Sequence, residues 1–413
     1  MIDPCSTNKK RILVLTPRFP YPPLGGDRLR IYQICKQLSS RFELSLLSMC
    51  ESEEEMRATI PEDGVFSRVD RVLQGRWGSI IGCLRALPSR TPLQVGYYRN
   101  PEFERRLQQL ASEHDCLLAH MIRTAPYITR FDMPKILEMT DAISMSYQRT
   151  AQLAEPVRAA LYRMEGSRLL NFEREVAQKC DLNVLVSEVD RDFLFPSGEA
   201  RKVLVCSNGV DTESLPFRFE PDGKTIIFIG KNSYRPNMDA IVFFQEEVFP
   251  LVRNRVPEAR FKIIGQIEPA FRRKMESRGT IVTGKVPDIA QAAAGASVGV
   301  CPLRIGAGIQ NKILEYMALG IPTVTSPVGL EGLEALAGVH LLTAADPSDW
   351  ADNVVALLKD RRTAKEMAVA GRRFVEVHHS WSANMSTLAD AIEGLLRGSG
   401  LNTREESSRP TMR

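Results

Sequence analysis

Short runs of strand-forming residues alternate with amphipathic helical segments along nearly the whole chain, and this alternation restricts the fold more than any other feature. Such apolar strands separated by helices are typical of parallel sheets that are covered by helices on both faces. The runs fall into two successive sets, 11–16, 42–48, 67–74, 116–120, 135–139, 182–187 and 203–206, then 225–230, 260–265, 280–284, 296–304, 322–326 and 339–343. The sequence therefore predicts an α/β protein with two Rossmann-like domains.

The polar, proline-containing stretch 211–224 separates the two sets and marks the predicted domain boundary. A chain of 413 residues is also too long for one hydrophobic core. We accordingly assign residues 1–215 to a first domain and 216–380 to a second. Residues 398–413 have the composition of a disordered tail.

Residues 306–326, GAGIQNKILEYMALGIPTVTS, place a glycine turn, a short helix and a strand in immediate succession. Because the strand-like run 296–304 precedes them, the turn is predicted at the carboxyl end of a strand. Gly306 and Gly308 let a ligand approach the main chain. The helix, predicted to begin near Ile309, points free N–H groups at that ligand and attracts phosphate. The segment is typical of a nucleotide-diphosphate site.

Two charged residues of this helix are candidate ligand contacts. Ile309, Ile313 and Met317 recur every four residues and form the predicted buried stripe, so Lys312 and Glu315 are expected on a more exposed face. A cation and a carboxylate there can both contact one ligand. The alternative is an intrahelical ion pair on a solvated surface.

Composition argues against several other classes of partner and site. The net charge of +4 comes from the termini, 1–11 and 397–413, and a neutral body does not favour nucleic acid. The eight cysteines are scattered without C-x-x-C pairs or zinc-like Cys/His spacing, so we expect reduced thiols and no metal site. No signal-peptide pattern or run of ~18 apolar residues is present, which predicts a cytoplasmic protein.

Four segments, in order, resemble the GT-B glycosyltransferases of family 4, the group 1 sugar transferases. The resemblance extends from Arg11 to about Leu396, and Ser207-Asn208-Gly209-Val210-Asp211 is its most distinctive marker. It implies two Rossmann-like domains that face each other across a cleft, with the last helix, 381–397, crossing back to the first domain. The segments are LTPRFPYPPLGGDRLRIYQICKQLS (15–39), VLVSEVDRDFL (184–194) with VLVCSNGVDTE (203–213), FIGKNSYRPNMDAIVFF (228–244), and the 306–326 segment with its continuation PVGLEGL.

The resemblance further implies transfer of a sugar from a nucleotide-diphosphate donor to an acceptor, usually with retention at the anomeric carbon and without a metal ion or other cofactor. The expected acceptor is a polysaccharide or lipid-linked intermediate. Glu315 matches the second glutamate of the family's E-x7-E motif, which holds the donor ribose. The position of the first glutamate is occupied by Ala307. The motif thus identifies the nucleotide end of the donor but not the sugar.

Basic residues of the second domain are candidates for binding the diphosphate. Lys231 and Arg235 lie close to where the family places an Arg and a Lys, and Arg304 and Lys312 are further candidates. Without a metal ion, cations and helix N–H groups stabilise the negative charge that gathers on a departing nucleotide diphosphate.

On the first-domain side, Gly25 and Gly26 follow the first strand and are expected to admit the diphosphate or the acceptor, although they also fit a simple turn. His120 ends the run 116–120, where ligands collect in open α/β sheets, and is either a catalytic group or a structural one. Glu138 and Asp141 follow another strand without a distinguishing local pattern.

Residues Arg76–Arg99 contain four arginines and no acidic residue, interleaved with apolar side chains. Ile80, Leu84 and Leu87 have helical spacing, which predicts a short basic amphipathic helix. One hypothesis is contact with an anionic membrane that holds a lipid-linked acceptor. The alternative is a surface helix whose apolar stripe packs on the first sheet.

Two other functions fit parts of the sequence. Gly306 to Asn311 comes within one glycine of the dinucleotide fingerprint G-x-G-x-x-G, with Glu331 some 20 residues on, as in nicotinamide-dependent oxidoreductases. Ala307 is also compatible with a fold kept for nucleotide binding after loss of catalysis.

Overall fold

A computed structural model describes residues 9–196, 203–276 and 279–398. Within these residues the strands form two entirely parallel sheets, one in each half of the chain. The first sheet comprises β1 (Arg11–Thr16), β2 (Glu43–Cys50), β3 (Arg68–Leu73), β4 (Cys116–His120), β5 (Lys135–Thr140), β6 (Leu182–Leu185) and β7 (Val203–Val205). The second comprises β8 (Thr225–Ile229), β9 (Arg260–Ile264), β10 (Thr280–Gly284), β11 (Val298–Cys301), β12 (Thr323–Thr325) and β13 (Leu342–Thr343). The two predicted sets of strands are therefore confirmed, although most runs are trimmed at their ends.

Helices connect the strands and cover both faces of each sheet. In the first half they are α1 (Gly26–Leu38), α2 (Glu53–Arg57), α3 (Arg76–Ala86), α4 (Leu93–Tyr97), α5 (Pro101–Ala111), α6 (Ala125–Ile128), α7 (Ile143–Gln152), α8 (Pro156–Gln178) and α9 (Glu188–Leu194). In the second half they are α10 (Arg235–Phe243), a π-helical turn (Phe244–Val248), α11 (Phe249–Arg255), α12 (Pro269–Met275), α13 (Ile289–Ala292), α14 (Asn311–Leu319), α15 (Pro327–Leu330), α16 (Pro347–Lys359), α17 (Arg361–His378) and α18 (Trp381–Leu396). The predicted disordered tail lies outside the described residues, apart from Gly398.

The strand order of each sheet reverses at one point. The orders are β3-β2-β1-β4-β5-β6-β7 and β10-β9-β8-β11-β12-β13. Chain connections leave in opposite directions from β1 and β4, and likewise from β8 and β11, so a crevice opens between the loops at their carboxyl ends. These two crevices are where the fold places a ligand.

The final helix returns to the first domain, as the resemblance implies. Met385, Leu388 and Ile392 of α18 share one buried cluster with Ile31 and Ile34 of α1. An ion pair between Arg41 and Asp390 adds a polar contact at the rim. The described chain thus has the expected GT-B architecture of two Rossmann-like domains with a C-terminal crossover.

The two segments that cross between the domains lie against each other. The Val210 N–H donates to the carbonyl of His379 at 2.8 Å. A Cβ at Gly209 would lie 2.5 Å from the backbone nitrogen of Trp381, so only glycine fits there. The glycine of the Ser207–Asp211 marker is thereby explained by the close approach of the second crossing.

Helix α3 is present where a basic amphipathic helix is predicted, but its apolar stripe does not pack on the first sheet, as one of the two interpretations required. Ile80, Leu84 and Leu87 are 48%, 58% and 48% exposed. The buried residues of the helix are the small Ser79, Gly82 and Ala86, and Gly82 contacts the backbone of Gly96 in α4. Small residues bring α3 close to α4, which leaves the large apolar side chains facing outward. Among the described residues, no helix is long and apolar enough to cross a membrane.

Candidate active site

The loops at the carboxyl ends of the two sheets meet across a narrow cleft. The first domain contributes Gly25 and Gly26, which follow β1. The second contributes the turn Gly306–Gly308, which follows β11. Asn208 donates from Nδ2 to Oδ1 of Asn311 at 2.8 Å, and a Cβ at Gly26 would lie 4.0 Å from Nδ2 of the same Asn311. The predicted glycines of both domains are therefore brought to opposite walls of one site.

Three helices begin at this cleft without a side-chain N-cap. They are α1, α10 and α14, whose N-cap positions are Gly25, Tyr234 and Gln310. Helix α14 begins at Asn311, two residues after the predicted start. The first N–H groups of a helix have no partner within it, and together with the helix dipole they favour an anion. The walls of the cleft thus offer uncapped N–H groups from both domains.

The expectation that Lys312 lies on the exposed face of α14 is wrong. Lys312 is only 8% exposed, its Nζ donates to Oδ1 of Asn237 at 3.0 Å, and it lies 5.0 Å from the ring centre of Phe228. Glu315 is partly buried, and burial raises the pKa of its carboxyl while the charge of Lys312 opposes that rise. The two do not form the alternative surface ion pair. Lys312 instead supplies positive charge beneath the start of the helix.

The other three predicted cations differ in how they are held. Lys231 follows β8, is exposed, and makes no side-chain hydrogen bond or ion pair with the described residues. Arg235 opens α10 and bonds the hydroxyl of Tyr162 across the cleft, with its guanidinium 4.9 Å from that ring centre. Arg304 forms a two-point ion pair with Asp239 at 2.6 and 3.0 Å. Of these three, Lys231 is the one whose charge is free to meet a ligand.

A buried ion network holds His120. Its Nδ1 lies 2.5 Å from Oε2 of Glu138, whose Oε1 accepts from Nε of Arg30 at 2.7 Å. Nη1 of Arg30 donates in turn to Oδ1 of Asn208 at 2.7 Å. Burial alone would raise the pKa of Glu138, but Arg30 and His120 outweigh burial and lower it to about 2. The carboxylate is therefore ionised, and it fixes the orientation of the His120 ring.

Sequence interpretation missed Arg30, although a signal existed. Arg30 lies four residues after Gly26 and four before Ile34, on the face of α1 that turns toward the protein. An arginine on such a face needs a buried anionic partner. Glu138 supplies it. The carboxylate–histidine pair that no local motif indicates is formed by two neighbouring strands, β4 and β5.

The backbone next to this network is strained. Met121 and Thr140, which follow His120 and end β5, have φ of 63° and 68° without being glycines. Residues in this left-handed region persist where the surroundings enforce it, and they cluster at functional sites. The strained residues lie at the carboxyl ends of β4 and β5, beside the cleft.

Arg149 of α7 fastens the first domain to the glycine turn of the second. Its Nη1 donates to the carbonyl of Gly306 at 2.7 Å, and its Nη2 pairs with Glu331 at 2.6 Å. Ala307 packs its methyl group against the apolar core of the first domain. The turn is thus held between both domains.

Comparison with known proteins agrees with this architecture. Residues 223–360 match the model of the family described as glycosyl transferases group 1. An uncharacterized protein of the cps region of Klebsiella pneumoniae is 20% identical over 171 residues, which is 39% of this chain and 44% of that relative's length.

Three solved structures illustrate the likeness in fold. Sucrose-phosphate synthase of Thermosynechococcus elongatus has a TM-score of 0.75 at 15% identity and covers 95% of this chain and 100% of its own. Anabaena HepE in complex with UDP-glucose has a TM-score of 0.67 at 13% identity, with 93% and 99% covered. WaaG, a glycosyltransferase involved in lipopolysaccharide biosynthesis, has a TM-score of 0.63 at 14% identity, with 93% and 100% covered. Residues 223–360 thus match the glycosyl transferases group 1 family, and the described chain shares the GT-B fold of these solved structures.

Proposed function

We propose that the protein transfers a sugar from a nucleotide-diphosphate donor to a glycan or lipid-linked acceptor, with retention at the anomeric carbon and without a metal ion. One observation supports the position of the donor site. The uncapped starts of α10 and α14 converge with the unpaired ammonium of Lys231 at the switch point of the second sheet. A diphosphate satisfies the free N–H groups and the cation together.

The roles of the other residues follow from their positions. Glu315, one turn into α14, accepts hydrogen bonds from the ribose hydroxyls. Lys231, with buried Lys312 behind it, opposes the negative charge that grows on the diphosphate as the bond to the sugar breaks. Arg235 can reach the same region, but its hydrogen bond to the hydroxyl of Tyr162 must break first. Arg304 stays with Asp239 and adds only long-range charge.

A uridine diphosphate sugar is the donor class that the comparisons favour. Anabaena HepE is solved in complex with UDP, with UDP and glucose, and with UDP-glucose. These ligands are those of the relative, and they supply the first compounds to test here. The likeness to WaaG, a glycosyltransferase involved in lipopolysaccharide biosynthesis, supports a glycan acceptor in the same way.

Titration calorimetry with UDP, together with slow hydrolysis of UDP-glucose and other nucleotide sugars, tests the donor site. Glu315→Ala should weaken UDP binding by about tenfold or more, because charge-assisted hydrogen bonds are worth about 1.5–3 kcal/mol. Glu366→Ala, an exposed glutamate on α17 of the same domain, is the matched control. Equal UDP affinity in the two variants would refute the site. UDP binding without hydrolysis or transfer of any donor would instead support the non-catalytic alternative.

The oxidoreductase alternative is disfavoured by Glu331. In the dinucleotide fingerprint the distal carboxylate binds a ribose, whereas here it pairs with Arg149 of the other domain. The glycine turn also follows β11 rather than β8, the first strand of its domain.

For the acceptor, we propose that α3 rests on the anionic inner face of the plasma membrane. Trp77, Ile81 and Leu84 are 79%, 47% and 58% exposed. Arginines 76, 85, 90 and 99 accompany them without an acidic residue. Monomeric proteins seldom expose such a contiguous apolar patch, and basic residues around it add attraction to anionic lipid. A membrane-bound acceptor would then reach the cleft from the first-domain side.

Co-sedimentation with vesicles of phosphatidylcholine and phosphatidylglycerol tests the surface. Binding should weaken with added salt and fall several-fold for Trp77→Ser/Leu84→Ser, with no loss of thermal stability because both side chains are exposed. Val369→Ser/Val377→Ser, two exposed valines on α17, should leave binding unchanged. No binding by the wild type at low salt would remove the proposal.

A further inference from the structure

Four carboxylates lie near the carboxyl edge of β5 and β6, and three of them are fully engaged within the protein. Glu138 bonds Arg30, His120 and the backbone N–H of Thr140. The other two are engaged as well: Asp190 accepts from the N–H of Ala142, the hydroxyl of Ser187 and the N–H of Gly308, and Glu173 accepts from the N–H and hydroxyl of Ser144. Asp141 makes no side-chain hydrogen bond or ion pair with any described residue. Its acceptor oxygens remain available.

Asp141 lies against the glycine turn of the second domain. Its Oδ2 is 3.3 Å, and its Cβ 3.0 Å, from the place that a Cβ would take at Gly308. Gly308 has φ of 68°, so the absence of a side chain both permits this backbone and leaves room for the carboxylate. Burial raises the pKa of Tyr234, in the loop before α10, and the charge of Asp141 adds to that rise. Asp141 therefore lies directly beside the glycine turn of the proposed donor site.

The second domain itself offers no carboxylate at this point of the turn. Position 307 carries a methyl group that packs on the core of the first domain. Carboxylates face the turn from the first domain instead: Asp190 accepts from the N–H of Gly308, and Asp141, whose oxygens bond no described residue, lies beside it.

The surroundings of Asp141 make its charge costly without a ligand. Burial, then repulsion from Asp190 and Glu138, raise its pKa to about 7, against the opposing charges of Arg123 and Arg30. Glu173 and Tyr234 are the other titratable groups close to it. Hydroxyl groups that donate to a carboxylate stabilise its ionised form. A ligand rich in hydroxyls would thus be bound more tightly by the ionised site.

We propose that Asp141 is the sugar-binding carboxylate of the donor site and accepts hydrogen bonds from hydroxyl groups of the transferred sugar. The inference rests on the proposed donor site and adds to it the element that fixes the sugar. Because Asp141 belongs to the first domain and the diphosphate site to the second, the sugar is gripped only when the domains are closed. A nucleoside diphosphate without a sugar does not use Asp141.

Calorimetry with UDP and UDP-glucose on the full chain separates this role from others. Asp141→Ala should weaken the binding of UDP-glucose by about tenfold to a hundredfold, as expected for the loss of hydrogen bonds to a charged group. The affinity for UDP should change by less than twofold. Asp141→Asn keeps the shape and one acceptor, so it should show an intermediate loss. Equal affinity of wild type and both variants for UDP-glucose would overturn the proposal. An equal loss for UDP and UDP-glucose would overturn it as well, since Asp141 would then only shape the turn.

The pH dependence supplies a second readout. In the wild type, the preference for UDP-glucose over UDP should fall as the pH is lowered from 8 to 6, because Asp141 becomes protonated. Asp141→Asn should abolish that dependence, and its persistence in this variant would contradict the assignment. Glu315→Ala keeps the two proposals apart. If Glu315→Ala binds UDP as tightly as the wild type, the proposed donor site is wrong. If Glu315→Ala loses UDP binding while the Asp141 variants bind UDP-glucose like the wild type, only the sugar contact is refuted.

Discussion

The amide of Asn208 donates to Oδ1 of Asn311 at 2.8 Å, which joins the marker segment of the first domain to the first residue of α14. Asn208 also accepts from Arg30 at 2.7 Å. The helix that carries the proposed ribose contact is thus connected, in two steps, to the buried Arg30–Glu138–His120 network. Because the connection crosses between the domains, opening of the cleft would break it.

We expect Asn311→Ala to favour the open arrangement. One neutral hydrogen bond is worth about 1 kcal/mol, or roughly a fivefold shift in the closure equilibrium. The donor KM should rise several-fold, and small-angle X-ray scattering should show a larger radius of gyration. Asn353→Ala removes a comparable bond, to the carbonyl of Thr343 within the second domain, and serves as the control. Identical KM values for the two variants would show that the bond does not contribute to closure.

Arg30→Met should destabilise the first domain strongly. Arg30 and Glu138 are both fully buried, and removing one partner leaves the other charge unpaired, at a cost of about 3–5 kcal/mol. Arg30→Met/Glu138→Gln should recover part of that loss, because neither charge remains. Urea unfolding followed by circular dichroism measures both. Arg304→Met breaks a half-exposed pair and should cost about 0–1 kcal/mol. A similar loss at Arg30 and Arg304 would contradict the network.

Lys231 and Arg304 should differ sharply in catalysis. Lys231 is exposed and pairs with none of the described residues, whereas Arg304 is paired with Asp239. Lys231→Met should lower kcat/KM by about tenfold to a hundredfold, the value of a charge-assisted hydrogen bond, without changing Tm. Arg304→Met should change it by less than about threefold. A larger effect at Arg304 would reverse the assignment of the two cations.

Glu173 should make the first domain less stable at alkaline pH. Burial raises its pKa from an ordinary 4.5 to about 8. The folded state therefore holds this proton more tightly than the unfolded chain does, so the stabilisation is complete below about pH 4.5 and lost as the pH rises through 8. The slope is at most about 1.4 kcal/mol per pH unit. Glu173→Gln, measured as Tm from pH 5 to 9, should lose less stability on the alkaline side than Glu366→Gln, the exposed control. Parallel curves would contradict the shift.

Elements with strong local patterns were predictable. The apolar strands carry their own signal, and the last helix, predicted over residues 381–397, is observed as Trp381–Leu396. Short strands such as β13 were overextended, because apolar residues continue past the hydrogen-bonded pairs.

Contacts between distant parts of the chain were not predictable in the same way. The environment of Lys312 depends on Asn237 and Phe228, which come from other elements of its domain. The outward face of α3 depends on the close contact of Gly82 with Gly96, which no helical periodicity reveals. The sequence places Asp141 after a strand, but its contact with Gly308 of the opposite domain arises only in the folded protein.

The paired crossings at Gly209 and Trp381 also restrict how the protein can move. Two chain crossings that are fixed to each other are expected to act as a hinge, so relative motion of the domains should be mainly a rotation about this contact. Such a rotation would change the contacts across the cleft together. A bulky residue at position 209 would push the two crossing segments apart. Each domain would keep its half of the binding surface, but the motion that brings the two halves together would be lost.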